Sequence, residues 1–102
     1  DDNQYLANGG FWHQQLHIFK HPFYYIDYTL AEICAFQFWK KSVEDRPKAW
    51  ADYVSLCQTG GRQAFVGLTG VANLISPFQD GCVKSVVGTI KNWLDDPNNS
   101  RI

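Results

Sequence analysis

The chain has 102 residues, none of them methionine, and its first residue is Asp1. A natural reading frame begins with methionine, so we expect this chain to be an excised piece or a processed product. Its charge is nearly balanced, with nine Lys and Arg against ten Asp and Glu. Without a basic stripe the chain is a poor match for nucleic acid, and we predict that it binds none.

Long apolar runs are also missing. No segment reaches the roughly 18–20 apolar residues that a membrane-spanning helix needs, and the start has no signal-peptide pattern. The three cysteines, Cys34, Cys57 and Cys82, are widely spaced and form no C-x-x-C pair. An odd number of separated cysteines is typical of reduced, mostly buried thiols, which predicts a cytoplasmic protein without a membrane partner.

Strand-like alternation and internal repeats are absent, whereas apolar residues recur at the i, i+3, i+4 spacing of helices. The chain is therefore predicted to be all-α, with residues 1–102 forming a single domain built as a bundle of about four helices. An irregular arm at 1–20 is expected to precede helices at about 22–43, 47–59, 62–74 and 78–95.

The same spacing predicts the buried faces and the helix ends. The first helix should bury a stripe of apolar residues, namely Phe23, Ile26, Leu30, Ile33, Cys34 and Phe38. The second should pack through Trp50, Tyr53, Val54 and Cys57, and the last through Val83, Val86, Val87, Ile90, Trp93 and Leu94. Asp45 and Pro47 are start signals for the second helix, and Gly60-Gly61 is its stop. Ser76-Pro77-Phe78-Gln79 has the pattern of a capping box, with Asp80 as the alternative start of the last helix.

The segment from His17 to Tyr28 reads H-I-F-K-H-P-F-Y-Y-I-D-Y and is the strongest functional signal. Tyr24 and Tyr28 are four residues apart, so on a helix their phenols share one face. With His17 on a preceding loop, these side chains could converge on an oxygen that becomes negative during a reaction. Aromatic stripes at this spacing are also common in ordinary cores, and that interpretation stays open.

Three histidines, His13, His17 and His21, are also spaced four residues apart and superficially resemble H-E-x-x-H. The glutamate position is Gln14, an amide that cannot act as a general base. His21 precedes Pro22, which disfavours helical geometry at that histidine. We therefore predict no metal ligands in this chain.

The order of motifs along the chain resembles a known family of peptidases. The matching pieces are W-x-x-x-x-H-I-F at 12–19, P-F-Y-Y-I-D-Y at 22–28, L-A-E-I-C-A-F-Q-F-W from 30, A-W-x-x-Y at 49–53, L-C-x-x-G-G at 56–61 and P-F-x-x-G at 77–81. In this order they resemble the C-terminal part of the catalytic domain of oligoendopeptidase F-like zinc metallopeptidases, the bacterial branch of the thimet oligopeptidase family. The resemblance covers nearly the whole chain.

The resemblance implies a helical hydrolase that cleaves short peptides within a deep channel, with zinc as its cofactor. It implies that the zinc motif lies upstream, so this chain alone should bind no zinc and be inactive. It assigns catalytic and substrate-binding roles to His17, Tyr24 and Tyr28, with one tyrosine as oxyanion donor. Tyr25 is expected to pack, and Asp27 to bond a neighbouring segment. No glycine lies between His17 and Pro22, unlike the glycine-rich loop of the animal branch.

Two functions of different class remain open on this basis. The chain is either part of such a peptidase, with the N-terminal part of the same protein and short peptides as partners, or a free-standing helical protein-interaction module. An H-E-x-x-H in frame upstream of Asp1 would distinguish them. As a piece of a channel wall, the isolated chain is expected to self-associate through exposed aromatic residues.

Overall fold

The computed structural model describes residues 3–99, and among them it contains helices and turns but no strand. The predicted all-α class is therefore confirmed. The chain divides into two compact units, Asp1–Leu30 and Ala31–Ile102, which we call the N-terminal and C-terminal units. No helix in the described part is long and apolar enough to cross a membrane.

The N-terminal unit is more helical than the predicted irregular arm. It contains α1 (Gln4–Ala7), a 3₁₀ helix (Gly10–Gln14) and α2 (Leu16–Lys20), followed by the start of α3 (Tyr25–Glu44). Asn3 caps α1 by accepting hydrogen bonds from the backbone N–H groups of Tyr5 and Leu6. The prediction of a mostly irregular arm was wrong because helices of four or five residues are too short to leave a clear periodicity in the sequence.

A tight turn separates α2 from α3. The residue before a proline avoids helical geometry, and α2 ends just before His21 and Pro22. The N–H of Tyr24 then donates to the carbonyl of His21 at 3.1 Å, and Phe23 adopts a left-handed φ of 68°. The helix consequently starts at Tyr25 rather than at the predicted residue 22.

The C-terminal unit contains the remainder of α3 together with α4 (Arg46–Thr59), a 3₁₀ turn (Gly60–Arg62), α5 (Phe65–Val71) and α6 (Cys82–Asp95). α4 matches its prediction because its signals are local: the Asp45 side chain accepts from the N–H of Lys48 at 3.1 Å, and Pro47 lies in the first turn. Gly60, with φ of 55°, follows the last residue of α4.

Two helix predictions were wrong at their ends. α5 stops at Val71 instead of 74, because Asn73 takes a left-handed φ of 50° and Leu74 donates back to Thr69 at 2.9 Å. This is the arrangement in which asparagine can replace the usual glycine. α6 starts at Cys82 after Gly81, whose φ is 83°, so Ser76–Gln79 forms a turn and does not cap the helix.

The buried core of the C-terminal unit is small and partly polar. Its buried residues are Gln37, Ala49, Asp52, Thr69, Ala72, Cys82 and Val86. The Gln37 amide donates to the carbonyl of Ile75 at 2.9 Å and accepts from its N–H at 2.8 Å. Lys41 donates to the Asp52 carboxylate and, at 3.1 Å, to the carbonyl of Ala72. These bonds connect α3 to α4 and to the segment after α5.

Most of the predicted apolar stripes are not buried. Phe23 and Ile26 are 89% and 51% exposed, and Trp50 is 65% exposed. On α4 the buried residues are Ala49 and Asp52, outside the predicted stripe, and of the stripe predicted for the last helix only Val86 is buried. Of the three cysteines, all free, Cys82 is buried and Cys57 is exposed, so the expectation of mostly buried thiols holds only in part.

Candidate functional site

His17, Tyr24 and Tyr28 lie close together in the N-terminal unit. The imidazole of His17 stacks on the Tyr24 ring, with centroids 5.6 Å apart and planes only 13° from parallel. The Tyr24 and Tyr28 rings meet edge to face at 5.4 Å, and their hydroxyl oxygens are 3.4 Å apart. We call these three residues the His–Tyr cluster.

The backbone brings this cluster together in a way that differs from the prediction. His17 lies on α2 and not on a loop, and Tyr24 lies in the turn just before α3. The turn at His21–Tyr24 reverses the chain between them, so a side chain of α2 reaches the first turn of α3. The predicted proximity of the two phenols is present although only Tyr28 is helical.

The cluster is open to solvent and rich in hydrogen-bonding groups. Tyr24 is 45% and Tyr28 is 56% exposed, and His17 is also exposed. The hydrogen bond with Tyr24, with a smaller contribution from its charge, raises the pKa of the Tyr28 phenol above its ordinary value. Tyr28 therefore keeps its proton, and with it the capacity to donate, at neutral and mildly alkaline pH.

Two residues that the sequence did not single out as site residues join the cluster from the side. The Tyr25 hydroxyl donates to the side-chain oxygen of Gln15 at 2.7 Å and lies 3.4 Å from His17 Nδ1. The Tyr25 ring also lies 5.9 Å from that of Tyr28. The sequence predicts that Tyr25 packs, because on a helix its side chain lies off the face of Tyr24 and Tyr28; in the structure, after the left-handed Phe23 and the later helix start, it contacts His17 instead. No sequence signal marks this change of direction.

The remaining predicted residues are placed elsewhere. The Asp27 carboxylate makes no hydrogen bond to another residue within 3–99. His13 lies in the 3₁₀ helix, where its Nδ1 contacts the Tyr5 hydroxyl. The centroid of its ring lies 3.8 Å from that of the Trp12 ring. His13 and His17 thus belong to different helices, and the apparent i, i+4 series is not one helical face.

The described residues do not fit a zinc site. Within 3–99 no group of three or more His, Cys, Asp or Glu side chains could hold a metal ion. The rings that lie beside His17 are those of Tyr24, Tyr25 and His21, and phenols are poor zinc ligands beside the usual imidazoles and thiolates.

Comparison with solved structures identifies what this chain is similar to. A structure of PZ peptidase A with an inhibitor shares 60% sequence identity over 97% of this chain, with a TM-score of 0.81. A protein described as a "putative Oligoendopeptidase F" shares 57% over 99% of the chain, also with a TM-score of 0.81. A second protein so described, from Bacillus anthracis str. Ames, shares 57% over 78%, with a TM-score of 0.71.

The chain spans only a small part of these proteins, 18% of the length of each of the first two. No family model and no curated protein matches it. The predicted resemblance is nevertheless confirmed, because the identity is high over nearly the whole chain and the fold agrees. This chain has the sequence and the fold of a segment of an oligoendopeptidase F-type peptidase.

Proposed function

We propose that this chain is the part of a zinc-dependent oligoendopeptidase that binds short peptides and stabilises the negatively charged oxygen formed during hydrolysis. The observation that carries the proposal is the His–Tyr cluster: two phenol hydroxyls 3.4 Å apart beside a stacked imidazole, all exposed, in a chain 57–60% identical to segments of proteins described as PZ peptidase A and oligoendopeptidase F. The zinc ligands and the general base would come from other parts of the protein.

The chemistry follows from the donors in the cluster. When a nucleophile adds to the scissile carbonyl, the oxygen becomes negative and binds hydrogen-bond donors more strongly than the ground-state carbonyl does. Each phenol has one proton. If one of Tyr24 and Tyr28 donates to the other, the second retains a free O–H that can bond the oxyanion. The pair thus offers one free donor whose orientation is fixed by its neighbour.

The proposal predicts the effect of removing each hydroxyl in the complete peptidase. Tyr24→Phe or Tyr28→Phe should lower kcat with little change in KM, because the bond to the oxyanion forms only in the transition state. One of the two changes should cost about 10²–10³ in kcat, the range seen for oxyanion donors. His17→Ala should lower kcat/KM, with a KM component if the imidazole also holds the substrate backbone. Steady-state kinetics on a short peptide measures all three.

Tyr5→Phe is the matched control. Tyr5 is 52% exposed in the same unit and its hydroxyl also contacts a histidine ring, that of His13, outside the cluster. Its kcat should stay within a fewfold of the wild type. Near-full turnover in Tyr24→Phe, Tyr28→Phe and His17→Ala together would show that the cluster does not stabilise the transition state.

A further inference from the structure

The hydrogen bonds around His17 determine which of its ring nitrogens carries the proton. Tyr25, the first residue of α3, is half-buried, and its hydroxyl lies 2.7 Å from Gln15 Oε1. An amide oxygen has no proton, so the phenol must be the donor in this bond. Gln15 is free to accept it because its side chain does not cap α2, although it occupies the N-cap position.

The phenol oxygen can then only accept from His17. A phenol has one O–H, and that proton points to Gln15, so the contact of 3.4 Å between the Tyr25 oxygen and His17 Nδ1 requires a proton on the nitrogen. A neutral imidazole has one N–H, and which nitrogen carries it is set by the partner of the other nitrogen. Nε2 is therefore left with a lone pair.

We propose that Gln15 and Tyr25 are positioning residues that hold His17 as the Nδ1–H tautomer, so that Nε2 accepts a hydrogen bond from a backbone N–H of the peptide substrate. The inference rests on the proposed function and refines it. A lone pair repels an oxyanion, so His17 is assigned to the substrate backbone and the tyrosine pair to the oxyanion.

The geometry of the cluster suits this division. A peptide backbone alternates N–H donors and C=O acceptors, and the cluster presents one acceptor nitrogen next to a phenol donor. The Tyr24 ring stacks on the imidazole at 5.6 Å, which fixes the plane in which the Nε2 lone pair lies. Tyr24 thereby connects the two functions: its ring orients His17 and its hydroxyl pairs with that of Tyr28.

The direct test is nitrogen NMR on the complete peptidase with ¹⁵N-labelled histidine. Protonated and unprotonated imidazole nitrogens have well-separated shifts, and His17→Gln identifies the signals of His17. In the neutral ring of the wild type, Nδ1 should carry the proton. Tyr25→Phe should move the proton partly or fully to Nε2, whereas Tyr5→Phe should leave the His17 signals unchanged. A proton on Nε2 in the wild type overturns the proposal.

Kinetics of variants at Gln15 and Tyr25 test the two hydrogen bonds that position His17, from His17 to Tyr25 and from Tyr25 to Gln15. Tyr25→Phe and Gln15→Leu should raise KM about 2–10-fold, which corresponds to loss of one ordinary hydrogen bond, with kcat within a fewfold. Gln15→Glu should retain a KM close to that of the wild type, because a carboxylate still accepts from the Tyr25 hydroxyl. If KM rises as much in Gln15→Glu as in Gln15→Leu, the Gln15 amide donates to Tyr25. The assigned direction of donation, from Tyr25 to Gln15, is then wrong.

The substrate side is tested with peptides in which one backbone amide at a time is replaced by an ester, which lacks the N–H. At one position the ester should raise KM of the wild type but not raise KM of His17→Ala further. The absence of such a position overturns the role of His17 as acceptor.

The two proposals can fail separately. A loss of kcat in the Tyr24 or Tyr28 variants, together with a proton on Nε2 of His17, refutes only the proposed tautomer. Full turnover in those tyrosine variants refutes the oxyanion role.

Discussion

At the scale of single residues, the important property is that two phenols share one hydrogen bond. The hydroxyl groups of Tyr24 and Tyr28 are 3.4 Å apart, and the bond between them favours the protonated form of Tyr28. A raised pKa means that ionisation begins at higher pH than in a free tyrosine. Tyr28 therefore remains a donor at neutral pH and loses that capacity only as pH rises through its folded-state pKa.

A spectroscopic titration checks this pH dependence. The phenolate absorbance of the chain, with that of Tyr28→Phe subtracted, should show Tyr28 ionising above the ordinary value of 10.0. In Tyr24→Phe the same difference curve should move down toward 10.0, because the hydrogen bond, the largest cause of the shift, is gone. Ionisation of Tyr28 at or below 10.0 in the wild type would contradict the pairing seen in the structure.

The cluster was predictable only where it depends on spacing. The spacing of four residues predicts that Tyr24 and Tyr28 meet, and they do meet. The position of Tyr25 depends on one backbone angle, the φ of 68° at Phe23, which places a bulky residue in a region that side chains rarely adopt. No residue type at this position indicates a left-handed φ, so the contact of Tyr25 with His17 could not be predicted from the sequence.

At the scale of elements, helix ends were predicted where a local signal forms them. α4 begins at Arg46 and ends at Thr59, against a prediction of 47–59, because Asp45, Pro47 and Gly60 act on the neighbouring backbone alone. The predicted start of α6 was wrong because the segment at Ser76 has the sequence pattern of a cap. In the structure Gly81, in a left-handed conformation, precedes the helix. The choice between competing local signals depends on tertiary packing, which the sequence pattern does not contain.

The cap of α4 gives an element-scale prediction. Asp45→Ala removes the acceptor of the Lys48 N–H and should lower the free energy of unfolding by about 0.5–2 kcal/mol. Denaturant unfolding monitored by circular dichroism measures the change. Asp80→Ala, in the exposed turn before α6, is the control for loss of one carboxylate. Equal stability of the two variants would show that the cap contributes nothing measurable.

At the scale of the whole molecule, the described part of the chain exposes many large apolar side chains and buries few. The only buried hydrophobic residues within 3–99 are Ala49, Ala72, Cys82 and Val86, whereas many large aromatic and aliphatic side chains are exposed. Phe38, Trp39, Trp50 and Tyr53 line an open groove of about 520 Å³ in the C-terminal unit. Exposed patches of this kind usually mark interfaces. The similar structures are more than five times longer, which is consistent with a surface that other parts of a peptidase cover.

We therefore expect the isolated chain to self-associate and to hydrolyse no peptide. Sedimentation should show a dimer or a larger species. Trp50→Glu places a charge in the groove and should shift the chain toward the monomer, whereas Gln58→Glu, an exposed position on the same helix, should not. A strictly monomeric wild-type chain, or equal shifts in both variants, would contradict association through this surface.

The partly buried ion pair between Lys41 and Asp52 makes the fold of the C-terminal unit sensitive to acid. The hydrogen bond from the Lys41 ammonium, followed by that from the Asn73 amide, holds the pKa of Asp52 below its ordinary 3.8. A carboxyl group with a lowered folded-state pKa stabilises the fold fully above its unfolded pKa, and this contribution is lost as pH falls through the folded value. Unfolding free energies should therefore decline as pH falls below 3.8, and Asp52→Asn should flatten that decline while lowering stability at neutral pH.

Since Asp52 lies on α4 and its partners on α3 and just after α5, one protonation event weakens the connections among three segments at once. Proton uptake at this carboxylate thus couples the integrity of the C-terminal unit to the acidity of its surroundings.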